Sequence, residues 1–174
     1  IKYALSPQKR EELEEDALNR GTYVHELLDG VSKELSLNGK DFSDAEDEEL
    51  KRIVEKKAEE IGREHNDGYF HSSRLAKRVE KRLKDEVDFA AKAIKKQLSG
   101  THAHTAGTEI VFGNRGELNI NTDGADINLT GKIDRVDIAV NEKGEHFLRV
   151  VDYKTGDRDY SLSEVFYGVS IQLV

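Results

Sequence analysis

The sequence predicts an α/β domain in which helices pack against a β-sheet, and a change of pattern along the chain leads to this prediction. In the first hundred residues, apolar side chains recur every three or four positions, which is the period of an amphipathic helix. After "SGTHAHTAG", at 99–107, apolar and polar residues alternate as they do in strands. The order of helices, at least three strands and a further helix indicates helices packed on a sheet.

The first two predicted helices are amphipathic or strongly charged. The first covers residues 8–36, and its buried face is predicted to contain Val24, Leu27, Leu28, Val31 and Leu35. A polar loop follows at 37–47, where Ser43 and Glu46 have the spacing of a capping box that opens a second helix. This charged helix is predicted to end near Glu64.

The third predicted helix covers residues 73–98, after a turn at "HNDGYF". Its predicted apolar stripe is Leu75, Val79, Leu83, Val87, Ile94 and Leu98. Strands are predicted at 109–113, at 127–140 and at 146–154, with the last two joined as an antiparallel hairpin by the turn "NEKGE". Ser161 and Glu164 form a second capping-box pattern, which predicts a final helix through Val174.

Length and composition restrict the class of protein. The 174 residues suit one domain with a sizeable core, and no apolar run approaches the roughly 20 residues of a membrane span. The sequence has no cysteine, which excludes disulfides, a thiolate zinc site, an iron–sulfur cluster and a cysteine nucleophile within it. It also has no methionine and stops within a helical pattern, so we interpret it as a piece of a longer polypeptide.

Charge is distributed unevenly along the chain, although the net charge is −8. Residues 61–100 contain 10 basic and 6 acidic side chains, whereas the segments on either side are acidic. Part of this charge forms a basic face on the third helix, which includes Arg74, Lys77, Arg78 and Lys81. Such a face is either solvated surface or a contact for a phosphate backbone.

The predicted hairpin brings two acids and a lysine together. Side chains alternate along a strand, so Asp152 and Lys154 share one face, and Asp134 on the partner strand lies near Asp152. Two close carboxylates repel, and a divalent cation that coordinates both removes the conflict. A metal with a neighbouring lysine suits phosphodiester hydrolysis. The alternative is a surface salt bridge between Asp152 and Lys154.

Four motifs, in this order, carry a family resemblance: "GTYVHELLD", "GKIDRVD", "RVVDYKTG" and "EVFYGVSIQL". They resemble the RecB-type branch of the PD-(D/E)xK nucleases, and among these the AddB-type nuclease domains of bacterial helicase–nucleases. The resemblance covers about residues 16–174. It implies a restriction-endonuclease-like α/β fold, with a mixed central sheet flanked by helices and an N-terminal helical region. It also implies a single nuclease domain over 1–174, helical to about residue 100, with the catalytic sheet and final helix in 101–174.

The resemblance also assigns roles to individual residues. It implies that His25, Asp134 and Asp152 bind the metal and that Lys154 is the catalytic lysine. Gln172 matches a glutamine that belongs to the catalytic motifs and positions DNA. The basic residues Arg74, Lys77, Arg78 and Lys81 are expected to help seat the strand. Glu109 occupies a strand position where relatives often have an acid, and it is a further candidate.

The implied activity is a Mg²⁺-dependent exonuclease, with Mn²⁺ as a substitute, that degrades single-stranded DNA ends during recombinational repair of double-strand breaks. The implied partner is an AddA-type helicase subunit in the bacterial cytoplasm, with no role for a membrane. This sequence departs from the family in two ways, since it has no cysteine for the family's iron–sulfur cluster and the tyrosine of the Gln-x-x-x-Tyr element would fall beyond Val174. The alternative is a non-catalytic scaffold that binds DNA or docks a partner subunit through its acidic region at 41–60.

Overall fold

The computed structural model describes the backbone of residues 9–64, 70, 74–113, 119–122, 125–128 and 130–154, and side chains within 20–63, 70, 74–113 and 130–154. The helices are α1 (Lys9–Leu37), a short 3₁₀ helix (Phe42–Asp44), α2 (Asp47–Glu64) and α3 (Arg74–Thr101). The strands are β1 (His104–Phe112), β2 (Asn119–Thr122), β3 (Ala125–Asn128), β4 (Gly131–Val140) and β5 (His146–Val151). The predicted final helix, with Ser161 and Glu164, lies outside the described residues.

The three long helices form the main hydrophobic core. The predicted face of α1 is confirmed, because all five of its apolar residues from Val24 to Leu35 are buried. They pack with Leu50, Val54 and Ala58 of α2 and with the buried face of α3. In the part of the chain that the structure describes, no helix is long and apolar enough to cross a membrane.

The predicted stripe of α3 is wrong at its N-terminal end. The buried residues are Ala76, Glu80, Leu83, Val87, Ala91, Ile94 and Leu98, whereas Leu75 is 71% exposed. A helix turns about 100° per residue, so a strict step of four drifts by about 40° each time. Two such steps back from Leu83 rotate Leu75 off the core face.

The capping box before α2 was also predicted at the wrong residues. Asp41 and Asp44 form it, because the Asp41 carboxylate accepts the N–H of Phe42 at 2.7 Å and Asp44 Oδ2 accepts the N–H of Asp41 at 2.9 Å. This box opens the 3₁₀ helix, which contains Ser43 and buries Phe42. The loop therefore contributes a core side chain before α2 begins.

The main sheet has the strand order β1-β4-β5, and both of its pairings are antiparallel. The predicted hairpin is confirmed as β4–β5, with Val140 opposite His146 and Arg135 opposite Val151. The predicted single strand over 127–140 is wrong, because β3 pairs with β2 in a separate two-stranded sheet. A Cβ at Gly131 would lie only 2.6 Å from the Phe112 ring, so glycine permits the close approach at which β4 starts. The helices and the sheet together form an α/β fold of the restriction-endonuclease-like kind.

Candidate metal centre

Asp134 lies at the centre of the candidate site, where β4 meets α1 and the residues after β5. Its side chain is 8% exposed. One carboxylate oxygen, Oδ2, accepts the backbone N–H of Tyr153 at 2.5 Å, and the other, Oδ1, lies 3.3 Å from Nδ1 of His25. The predicted proximity of Asp134 and His25 is therefore present in the structure, although it joins elements that are distant in the sequence.

The hydrogen bond of His25 sets the orientation of its ring. Nε2 lies 2.9 Å from the carbonyl oxygen of Tyr153, and a carbonyl can only accept, so Nε2 carries the proton. In the neutral ring Nδ1 then presents a lone pair toward Oδ1 of Asp134. Two lone pairs repel unless Nδ1 is also protonated or a cation lies between them. An imidazole whose other nitrogen is held by a hydrogen bond is the usual arrangement of a metal-binding histidine.

Glu109 joins this pair from β1. Thr108 pairs with Arg135 and Ile110 with Ile133, so Glu109 stands beside Asp134 across the two strands. The backbone of Glu109 has φ 52°, in the left-handed region that non-glycine residues rarely occupy. One ligand atom from each of His25, Glu109 and Asp134 lies within 4.8 Å of the others.

The donor set of this cluster suits a divalent cation. Carboxylate oxygens are the ligands that hard cations prefer, and an imidazole nitrogen is added by His25. Lys132, two residues before Asp134, forms an ion pair with Glu109 and places one positive charge at the edge of the cluster. The structure thus brings together His25 and Asp134, both predicted as ligands, with Glu109, which the sequence supported only weakly.

Asp152 and Lys154 follow directly after β5. The pairing of Arg135 with Val151, continued by one residue, puts Asp152 opposite Asp134 and on the same face of the sheet. The Asp152 carboxylate is not one of the three grouped ligands, since its Oδ2 forms an ion pair with Lys154 Nζ at 2.7 Å. Both side chains are partly exposed, and the salt bridge considered as the alternative is therefore present beside the cluster.

The predicted DNA contacts can be located only in part. Arg74, Lys77, Arg78 and Lys81 are exposed on α3, and none of them forms an ion pair with another residue that the structure describes. Gln172 lies outside the described residues.

The sequence reasoning missed a buried polar network behind the cluster. Arg135 and Asp137 are fully buried on β4, with Nε of Arg135 2.8 Å from Oδ1 of Asp137 and Nη2 3.1 Å from Oδ2. Arg149 also donates to Asp137, at 2.9 Å, and the hydroxyl of Tyr153 accepts from Arg135 at 3.1 Å. Burial raises the pKa of the Tyr153 hydroxyl, and the nearby Arg135 guanidinium opposes this rise. Opposite charges two positions apart in "DRVD" are the signal that could have identified this pair.

The fold and the cluster agree with a family match over the whole chain. A model of the "PD-(D/E)XK nuclease superfamily" matches residues 1–174, and the chain belongs to this superfamily. The particular relatives are the B-type subunits of enzymes named "ATP-dependent helicase/deoxyribonuclease". The one from Clostridium novyi is 33% identical over 183 residues and the one from Clostridioides difficile 30% over 179. Both alignments cover all of this chain but only 16% and 15% of the relative's length.

Proposed function

We propose that the chain is the nuclease domain of a helicase–nuclease subunit and hydrolyses phosphodiester bonds of single-stranded DNA in a Mg²⁺-dependent reaction. The observation that carries the proposal is the cluster of His25, Glu109 and Asp134 beside a strand end that bears Lys154. The names of the relatives join a helicase to a deoxyribonuclease, which supports DNA as the substrate and a helicase subunit of the AddA type as the partner. The proposed setting is double-strand break repair by recombination in the bacterial cytoplasm.

The proposed roles follow from the positions of the side chains. His25, Glu109 and Asp134 hold the cation, which when bound polarises a phosphoryl oxygen and makes water more acidic. Asp152 joins them when its pair with Lys154 opens. Lys154, freed in this way, contributes a mobile ammonium that stabilises negative charge on the phosphate in the transition state.

The seat for the DNA strand is proposed at the exposed basic face of α3, with Gln172 at the site itself. Arg74, Lys77, Arg78 and Lys81 are solvent-exposed and have no described acidic partner, so they can approach phosphates without first breaking an ion pair. Contacts of this kind make binding weaken steeply with salt.

The test is degradation of end-labelled single-stranded DNA with Mg²⁺, comparing the parent with Lys154→Ala. We expect the variant to lose at least about 10²-fold in cleavage rate, the scale of removing one charge-stabilising donor, while still binding DNA when Ca²⁺ replaces Mg²⁺. Lys33→Ala is the matched control, because Lys33 also pairs with a carboxylate at 2.7 Å but on the exposed surface of α1. Equal cleavage by Lys154→Ala and the parent would end the catalytic proposal.

A closed circular strand distinguishes the mode of attack. We propose an exonuclease, which needs a free end, so linear DNA should be degraded and a circle of the same sequence should remain intact. Cutting of the circle would instead indicate endonuclease action.

One observation favours a second candidate, a non-catalytic DNA-binding or subunit-docking scaffold. The carboxylate of Asp152 is paired with Lys154 and is not among the three grouped ligand residues. A parent protein that binds Mn²⁺ and DNA but leaves linear single strands intact would support the scaffold.

A further inference from the structure

Tyr153 connects the candidate metal ligands to the buried interior through both its backbone and its side chain. Its N–H holds one oxygen of Asp134 at 2.5 Å, and its carbonyl holds Nε2 of His25 at 2.9 Å. Its ring lies edge-on to the His25 ring, with the ring centroids 5.8 Å apart. A shift of this one residue would therefore move two ligands together.

The side chain of Tyr153 is in turn fixed by Arg135. Nη1 of Arg135 donates to the hydroxyl at 3.1 Å, and the guanidinium carbon lies 5.7 Å from the centroid of the ring. The ring also packs against the helical core. The position of the backbone between Asp152 and Lys154 thus depends on where the guanidinium is held.

Arg135 is held from three directions. Asp137 on the same strand takes Nε and Nη2, with the Nε contact a close ion pair that is not aligned as a hydrogen bond. Gln97 of α3 accepts from Nη2 at 3.3 Å. Arg149 of β5 braces Asp137 from the other side at 2.8 Å. The side chain of Arg135 is 1% exposed, so a planar fork with five donors is fixed in place without solvent.

We propose that Arg135 and Tyr153 are positioning residues of the metal centre, and that the buried pair of Arg135 and Asp137 fixes the places of Asp134 and His25 by holding Tyr153. The inference rests on the proposed metal site. It assigns Arg135 and Tyr153 no contact with the cation or the DNA; they act on the ligands alone. Outer partners of metal ligands commonly change metal affinity by about 10–100-fold when they are replaced.

The test is Mn²⁺ affinity, measured by calorimetry, in Tyr153→Phe and Arg135→Lys. Tyr153→Phe keeps the ring and both backbone hydrogen bonds and removes only the hydroxyl that Arg135 holds. We expect its Kd for Mn²⁺ to rise about 10-fold, with kcat at subsaturating Mn²⁺ falling and KM for DNA unchanged. Arg135→Lys keeps the charge but loses the fork, and we expect a larger rise in Kd.

Tyr23→Phe is the matched control, because it removes another buried tyrosine hydroxyl, one that lies in the helical core 3.5 Å from the carbonyl of Ala58. We expect it to lower the melting temperature without changing the Mn²⁺ affinity. If Arg135→Lys does not fold, Tyr153→Phe alone decides. A folded Tyr153→Phe that binds Mn²⁺ as tightly as the parent would overturn the proposal, as would a parent that binds no Mn²⁺.

Asp134→Asn separates this proposal from the nuclease function. If Asp134→Asn abolishes Mn²⁺ binding and Tyr153→Phe weakens it, the positioning role stands even when the parent does not cleave DNA. If Asp134→Asn leaves the affinity unchanged, the cation binds elsewhere and the positioning role is wrong.

Discussion

The strained backbone of Glu109 leads to a prediction in which two substitutions remove the same carboxylate but differ in stability. An L-residue in the left-handed region costs about 1–2 kcal/mol, and Glu109 has φ 52°. Glycine avoids most of this cost, but it loses about 0.5–1 kcal/mol of chain entropy relative to alanine. We therefore expect Glu109→Gly to be more stable than Glu109→Ala by about 1 kcal/mol, the reverse of the order at an ordinary strand position.

The assay is urea unfolding in the presence of EDTA, so that metal binding does not contribute. With a slope of about 2 kcal/mol/M, a difference of about 1 kcal/mol separates the two midpoints by about 0.5 M. Both variants lose the ion pair to Lys132, whose side chain is half exposed, so that loss cancels in the comparison. Equal midpoints, or a more stable alanine variant, would refute the reasoning that the backbone at Glu109 is strained.

The same pair of variants connects strain to function. Strain of this kind is found where a side chain is held for a role in binding or catalysis. Both variants should bind Mn²⁺ more weakly than the parent, and Glu109→Gln should do so as well while keeping the length of the side chain. If all three bind as tightly as the parent, Glu109 is not a ligand.

Three further predictions concern metal, packing and DNA. A saturating cation at 100 times its Kd should stabilise the parent by about 2.7 kcal/mol, raising the melting temperature by roughly 5–11 °C, and Asp134→Asn should abolish this shift in a thermal scan. Asp137→Asn leaves the buried guanidinium of Arg135 uncompensated and should lower the free energy of unfolding by about 3–5 kcal/mol in urea; a loss below about 1 kcal/mol would contradict the buried pair. Arg78→Gln should lower the slope of log affinity against log salt for single-stranded DNA by about 0.7, whereas Lys57→Gln, at a lysine already paired with Glu34 and Glu60, should leave it unchanged.

The alkaline stability of the protein follows from its buried tyrosines. Burial raises the pKa of Tyr23 and of Tyr153 above the ordinary value of 10.0. The stability from the neutral hydroxyls is complete below pH 10 and is lost as pH rises above it, because the unfolded chain then releases protons that the folded chain keeps. Replacing either tyrosine by phenylalanine should reduce the slope of stability against pH above pH 10 in urea titrations; an unchanged slope in both variants would contradict the raised values.

The parts of the fold that the sequence predicted are those determined by local periodicity. The face of α1 and the β4–β5 hairpin follow from spacings of three or four and of two, and both are present. The start of α3 was placed wrongly because a step of four only approximates the helical repeat, and Leu75 is exposed as a result. The separate β2–β3 hairpin was missed because residues 127–140 alternate without a visible break.

The site was predictable where a motif marks a position, and less so where contacts depend on the register between strands. Asp134 and His25 were named from their motifs, whereas Glu109 gained support only when β1 was seen to place it beside Asp134. The buried pair of Arg135 and Asp137 was missed because charged residues in a strand are usually expected to face solvent. Only the packing of α3 and Tyr153 around Arg135 explains why that face is covered.

The hydrogen bond between His25 and Tyr153 joins residues 128 positions apart. During synthesis, α1 leaves the ribosome long before the end of β5 exists, so the imidazole waits without its carbonyl partner. Closing a loop of that length is slow and costs entropy that only a completed sheet can offset. The ligands can therefore meet only after nearly the whole chain has been made, and a half-synthesised protein has no assembled centre with which to attack nucleic acid.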